Sequence, residues 1–150
     1  MKCLVTGGAG FIGGHCVDRL KELGHDVVVV DNECASDNDS YHWRDDTSNH
    51  KTNILDYDEL APLFEGVDYV FHFATESRIQ PSIKDPRYAI NVNVTGTTNV
   101  CQAAREAGVK RVMFSGTSAC YGLINTPPLT EDMPTDCLNP YSVGKLGGEE

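Results

Sequence analysis

Tyr141 and Lys145 stand four residues apart, about one helical turn, so a helix through them places a phenol and an ammonium on one face. A neighbouring positive charge favours the ionised form of a phenol, which makes Tyr141 a candidate general base and Lys145 its electrostatic support. A second chemical feature lies at the other end of the chain. The segment TGGAGFIGG at residues 6–14 sets Gly7, Gly10 and Gly13 between an apolar strand pattern and an amphipathic helix pattern. In that context glycines permit a tight turn, close approach of main chain to a pyrophosphate, and close packing of helix on strand. The N–H groups at the start of the helix, at Phe11 and Ile12, then face the phosphates. Asp31 follows Gly13 by eighteen residues and ends a run of valines, where a carboxylate accepts from the adenosine ribose hydroxyls. A carboxylate there repels a 2′-phosphate, and neither Asn32 nor Glu33 adds positive charge, so NAD is expected in preference to NADP.

These residues need elements to hold them. The order predicted from periodicity is a strand at Lys2 to Thr6, a helix from Phe11 to Leu23 with Ile12, Cys16, Leu20 and Leu23 on one face, and a C-cap at Gly24. A strand at Asp26 to Val30 follows, four consecutive valines being the mark of a strand buried on both faces. Residues 32–50 read as an irregular surface segment. A short strand near Lys51 to Ile54 comes next, then a helix from about Asp56 to Glu65, a strand at Val67 to Phe73 and a loop carrying Thr75 to Lys84. Asp85-Pro86 opens a long helix to Ala107, with Gly108 after it, and Val109 to Phe114 is a further strand. Gly122 to Pro140 holds four prolines and reads as a loop, and Asn139-Pro140 starts the helix of Tyr141 and Lys145. Alternating strands and helices predict an α/β fold, a Rossmann-like doubly wound parallel sheet with helices on both faces. One domain is the expectation over residues 1–150.

Composition narrows the partners. Of 150 residues, 22 are acidic and 12 basic, a formal charge of −10 that disfavours sequence-independent nucleic-acid binding. No apolar run reaches the ~18 residues of a membrane helix. The six cysteines fall partly within apolar strand and helix patterns and form no CxxC pair, so they read as reduced thiols of a cytoplasmic protein. The five histidines show no metal-ligand spacing, and His72 reads as structural. Trp43 reads as a local packing anchor.

With TGGAGFIGGH at 6–15, DN at 31–32, HFA at 72–74, NVTGT at 93–97, FSGTSACYG at 114–122 and PYSVGK at 140–145, the chain resembles the extended short-chain dehydrogenase/reductase family. Within it the resemblance is to the NAD-dependent sugar epimerase/dehydratase branch. That resemblance implies Thr117, Tyr141 and Lys145 as catalytic residues: Tyr141 takes the proton of a sugar hydroxyl as hydride leaves the same carbon for the nicotinamide, Lys145 binds the nicotinamide ribose, and Thr117 hydrogen-bonds the reacting oxygen. Ser118 is the fallback for Thr117. It further implies cofactor contacts from Gly7, Gly10, Phe11, Ile12, Gly13, Asp31, Asn32, Ser36, Asn53, Ile54, Phe73, Ala74, Thr75, Asn93, Ser115, Tyr141 and Lys145, with Asn53 in place of the usual Asp. The implied activity is epimerisation of a nucleotide sugar, a UDP-sugar foremost, without a metal. Where family 4,6-dehydratases carry Asp-Glu after the catalytic Thr, this chain has Ser118-Ala119, which removes the acid and base for elimination, although ATESRIQPSIKDP is dehydratase-like. A non-catalytic NAD-binding module is the alternative from another class. Family members are about twice as long, so the chain is expected to be the cofactor half, with a substrate domain and a homodimer belonging to a longer parent.

Overall fold

A computed structural model describes residues 1–35 and 40–150. The chain forms two compact units, one of Met1–Ala74 with Gly96–Ser115, the other of Thr75–Thr95 with Gly116–Glu150.

The first unit is built on a five-stranded sheet. Its strands are β1 (Lys2–Thr6), β2 (Asp26–Asp31), β3 (Ser48–Lys51), β4 (Tyr69–His72) and β5 (Arg111–Phe114), all parallel and in the order β3-β2-β1-β4-β5. This is the predicted Rossmann-like arrangement, and the reversal of strand order lies between β1 and β4, where folds of this class bind ligands beyond the strand C-termini. Val27 to Val30 are all buried, as a central strand covered on both faces requires. On one face Cys3, Val5, Val27 and Val29 pack with Val17 and Leu20 of α1 (Phe11–Glu22), and Trp43 anchors against the same cluster. Strand alternation turns Thr6 and His72 to the other face, where His72 Nε2 lies 3.0 Å from Thr97 Oγ1 on α5 (Thr97–Glu106).

Local signals set most boundaries. Gly24 (φ +77°) follows α1, with its N–H to Lys21 O and that of His25 to Leu20 O, a Schellman ending. Asp56 accepts from Glu59 N–H to start α2 (Tyr57–Leu60), and the chain tightens into a 3₁₀ turn at Ala61–Phe64, where Pro62 sits. Other expectations shift. The buried stripe of α1 is Gly13, Gly14, Val17 and Leu20; Ile12 and Leu23 are exposed, because the glycines turn the helix's close-packing edge to the strands. The third strand is Ser48–Lys51, three residues earlier than predicted, since a polar edge strand shows no apolar alternation.

In the second unit the expected loop at Thr75 to Lys84 contains α3 (Ile79–Lys84). Asp85 accepts from Tyr88 N–H and Pro86 opens α4 (Pro86–Ile90), as predicted. The helical path then widens into a π-helical stretch at Asn91–Gly96 that periodicity does not reveal. A 3₁₀ turn at Ser118–Tyr121 precedes the proline-rich loop, and α6 (Pro140–Glu149) closes the unit.

Candidate cofactor cradle and acid–base site

The cradle is made almost wholly of main chain. β1 delivers Gly7 in a left-handed conformation (φ +66°), its N–H donating to Val30 O at 2.8 Å. A Cβ on Gly7 would stand 2.8 Å from Ala74 N and 3.0 Å from Phe73 C, so the chain beyond β4 fits only against a glycine. A Cβ on Gly13 would stand 2.1 Å from Gly7 O, closer than any real contact. Gly10 caps α1 with no side chain, and the first turn of the helix holds neither a side-chain cap nor an acidic residue. Its leading N–H groups are left for a partner from outside the helix, beside the exposed Phe11 and Ile12.

Asp31 is tied into this loop. Its carboxylate accepts from Ala9 N–H at 3.1 Å and from Glu33 N–H at 2.8 Å. Asn32 Oδ1 accepts from Cys34 N–H at 3.2 Å. Thr6 Oγ1 accepts from Ala74 N–H at 3.2 Å and lies 2.6 Å from His72 Nδ1, so buried His72 links the ends of β1 and β4 to Thr97 as a structural residue. Phe73 packs partly into the core. Asn53 spends its amide oxygen on Leu55 N–H, 3.0 Å, within a turn. The side chain of Ile54 is buried against Gly96, where a Cβ would stand 2.5 Å from Ile54 Cδ1, and its carbonyl accepts from Asn99 Nδ2. The structure therefore brings Gly7, Gly13, Asp31 and Ala74 together around one loop and commits Ile54 to packing. Ser115, at the end of this unit, is exposed, and Ser36 lies outside the described residues.

The second unit carries the candidate acid–base residues, and side chains hold them. Asn93 is 1% exposed; its Oδ1 accepts from Thr75 Oγ1 at 2.7 Å and Glu76 N–H at 2.9 Å, and its Nδ2 donates to Glu76 O at 3.1 Å. Thr117 adopts an extended conformation and its Oγ1 accepts from Ala119 N–H at 3.2 Å, starting the 3₁₀ turn. This leaves the hydroxyl proton of Thr117 for donation, while the neighbouring Ser118 is exposed.

A reciprocal capping box between Asn139 and Ser142 fixes the start of α6. Tyr141 N–H donates to Ser82 Oγ at 3.1 Å, and Ser82 Oγ–H donates to Ile79 O at 2.7 Å, so α3 supports the helix turn that presents Tyr141. Tyr141 is half-buried, and one turn later Lys145 is 4% exposed. Between them Gly144 brings α6 against Asn93, a Cβ there standing 3.0 Å from Asn93 Cβ. Burial pushes the Lys145 ammonium down to about 8, against the field of Glu149, which favours the charge. Ser82 and Gly144 escape a reading of motifs; a glycine inside a helix was the one available signal of close approach.

Among the described residues no cluster of His, Cys, Asp and Glu could hold a metal, and no helix is long and apolar enough to cross a membrane. The chain is similar to a UDP-glucose 4-epimerase of Mycolicibacterium smegmatis, at 37% identity over 99% of the chain and 49% of that protein. Among solved structures it is similar to the UDP-glucose 4-epimerase of Thermotoga maritima with UDP-glucose (TM-score 0.92, 31% identity, 99% of this chain and 49% of that one). It is similar also to the Thermus thermophilus UDP-glucose 4-epimerase in complex with NAD (TM-score 0.90, 30% identity, again 99% and 49%). The chain thus spans about half the length of these relatives. A model of the NAD dependent epimerase/dehydratase family matches residues 3–150, and the chain belongs to that family.

Proposed function

We propose that this chain binds NAD on the Gly7 to Gly13 loop and Asp31, and supplies Thr117, Tyr141 and Lys145 as the acid–base residues of a nucleotide-sugar 4-epimerase. The observation that carries the proposal is the loop itself. Side chains are excluded at Gly7 and Gly13 by 2.8 Å and 2.1 Å approaches, and a twelve-residue helix follows with an uncapped, acid-free first turn. That is a fitted anion cradle, and Asp31 beside it disfavours a 2′-phosphate. The relatives' UDP-glucose 4-epimerase activity favours a UDP-sugar as substrate.

When bound, NAD supplies a reversible hydride acceptor. Within the chain, the ionised Tyr141 oxygen removes the proton of the sugar hydroxyl and later returns it. Thr117 donates its hydroxyl hydrogen to the reacting oxygen. Lys145, charged below about pH 8, favours the ionised phenol and offers an ammonium to a ribose hydroxyl. Ser82, Asn93 and the Asn139 cap hold these groups in place and take no proton. The same proposal places the activity in a longer, homodimeric, cytoplasmic protein and expects no nucleic acid among its partners, given the charge of −10.

Calorimetric titration of the chain with NAD and with NADP tests this directly. Saturable binding of NAD, with NADP weaker by at least about tenfold and the difference lost in Asp31→Asn, is the expected result. Equal affinity for the two, or no binding to a chain with a folded far-UV spectrum, would sink it.

A further inference from the structure

One carboxylate near the acid–base residues has no part in the chemistry above. Glu149 lies one turn beyond Lys145 on α6. A Cβ placed on Gly116 would stand 3.4 Å from Glu149 Oε2, so the carboxylate lies near the residue that precedes Thr117, separated from the glycine by about the space of one methyl group. Its field also reaches Cys120 and Tyr121 of the following 3₁₀ turn, where together with burial it disfavours the ionised thiol and phenol. The elements packed on α6 are α3, α4, the π-helical stretch at Asn93 and Val94, which holds no titratable group, and that 3₁₀ turn. Their titratable and charged groups are Arg78 at the start of α3 and Lys84 within it, Asp85 at the start of α4, Arg87 and Tyr88 of α4, and Cys120 and Tyr121, with Tyr141 on α6 itself. Glu149 is the charge whose field opposes the burial of Lys145.

We propose that Glu149 is a positioning residue that seats the Thr117 segment against α6 and supplies the countercharge that keeps the Lys145 ammonium in place beside Tyr141. It rests on the reading of Lys145 as a functional ammonium. Burial alone drives a lysine toward its neutral form, which can neither support a phenolate nor act as a full cation toward a ribose. A carboxylate one turn away restores the charge without entering the site, and its exposure lets solvent carry part of its own desolvation. The placement does two things at once: the i, i+4 spacing reaches Lys145 along the helix, and the nearness to Gly116 sets the same carboxylate beside the Thr117 segment.

The test is a pH titration of the Lys145 side chain by NMR on chain labelled at lysine ¹⁵Nζ and ¹³Cε, with Lys145→Met for assignment. Native chain should titrate near about 8, Glu149→Gln lower by about half a unit or more, and Glu149→Asp close to native. A purely structural role for Glu149 would leave the midpoint of a folded Gln variant where it was. Salt offers a second route, because the field of an exposed carboxylate is screened: the native midpoint should fall as ionic strength rises, and more steeply than the Gln variant's, which feels only the chain's remaining negative charge. Coincident midpoints, or a native midpoint indifferent to salt, overturn the proposal. Titrating the same samples with NAD separates the two readings. A chain that binds NAD while the midpoints coincide keeps the cofactor and loses Glu149; one that fails to bind while the midpoints differ loses the cofactor reading and retains the Glu149 tie.

Discussion

The two units make their sites from different materials. Around the Gly7 to Gly13 loop the work is done by main chain: Gly7, Gly10 and Gly13, the uncapped end of α1 and the end of the central strand, with Asp31 the chief side chain. Around Tyr141 it is done by buried polar side chains: Asn93 and Ser82, each tied to a neighbouring segment or helix, and Lys145. A backbone site is rigid and intolerant of any added atom, because its positions are set by sheet hydrogen bonds and hard contacts. A side-chain site is tunable, and it carries the free-energy penalty of burying polar groups. Binding a constant ligand part such as a pyrophosphate suits the first; setting a proton affinity suits the second.

Substitutions can break that contrast. The largest effect is expected at Gly13→Ala, where a methyl 2.1 Å from Gly7 O forces the loop apart. Urea unfolding should show a loss of about 3 kcal/mol or more, together with loss of NAD binding. A variant as stable as the native chain would mean that the loop yields and the cradle is soft. Lys145→Met is expected to act in the opposite direction. The native ammonium titrates near about 8 in the fold and near 10.4 when unfolded, so between those values the unfolded chain holds the extra proton. Stability attributable to Lys145 therefore falls as pH is lowered from about 10.4 to about 8, and below that the full penalty remains. Lys145→Met should remove this slope and gain up to about 3 kcal/mol at pH 7, read from unfolding curves at several pH values. A flat native profile in that window would show Lys145 to be fully compensated. The smallest change is expected at Ser82→Ala, which leaves Tyr141 N–H without its acceptor and should lower stability by about 1 kcal/mol, with NAD affinity changed far less than in Gly13→Ala. Calorimetry checks the second half, and a loss of NAD affinity as large as that of Gly13→Ala would break the contrast.

Much of this was legible in residue order, and the failures have physical causes. Asp85-Pro86, Asn139-Pro140 and Gly24 are local rules, each decided within one helical turn, and each holds. The valines of β2 announce a strand covered on both faces because burial there is continuous. β3 is a polar edge strand, SNHK, whose pairing with β2 comes from main-chain hydrogen bonds that carry no side-chain pattern. α3 contains Pro81, which argues against a helix on local grounds, yet Pro81 lies in its first turn, where its missing N–H is no loss. The π-helical stretch at Asn91–Gly96 leaves no periodic trace, since one extra residue in a turn looks like noise in a short window. The motifs named Tyr141 and Lys145, but Ser82 is joined to Tyr141 across fifty-nine residues, and no spacing rule reaches that far.

Asp31 carries a consequence for how such a chain can change over time. Its two oxygens hold Ala9 of the glycine loop and Glu33 beyond the strand, so the residue proposed to select the cofactor also keeps the loop in shape. A lineage drifting toward the phosphorylated cofactor cannot simply delete this carboxylate. Asn and Ser each carry a single acceptor oxygen in place of two, so either step toward a neutral side chain disturbs the two-oxygen tie to Ala9 and Glu33, and a change of cofactor is linked to a change in the loop.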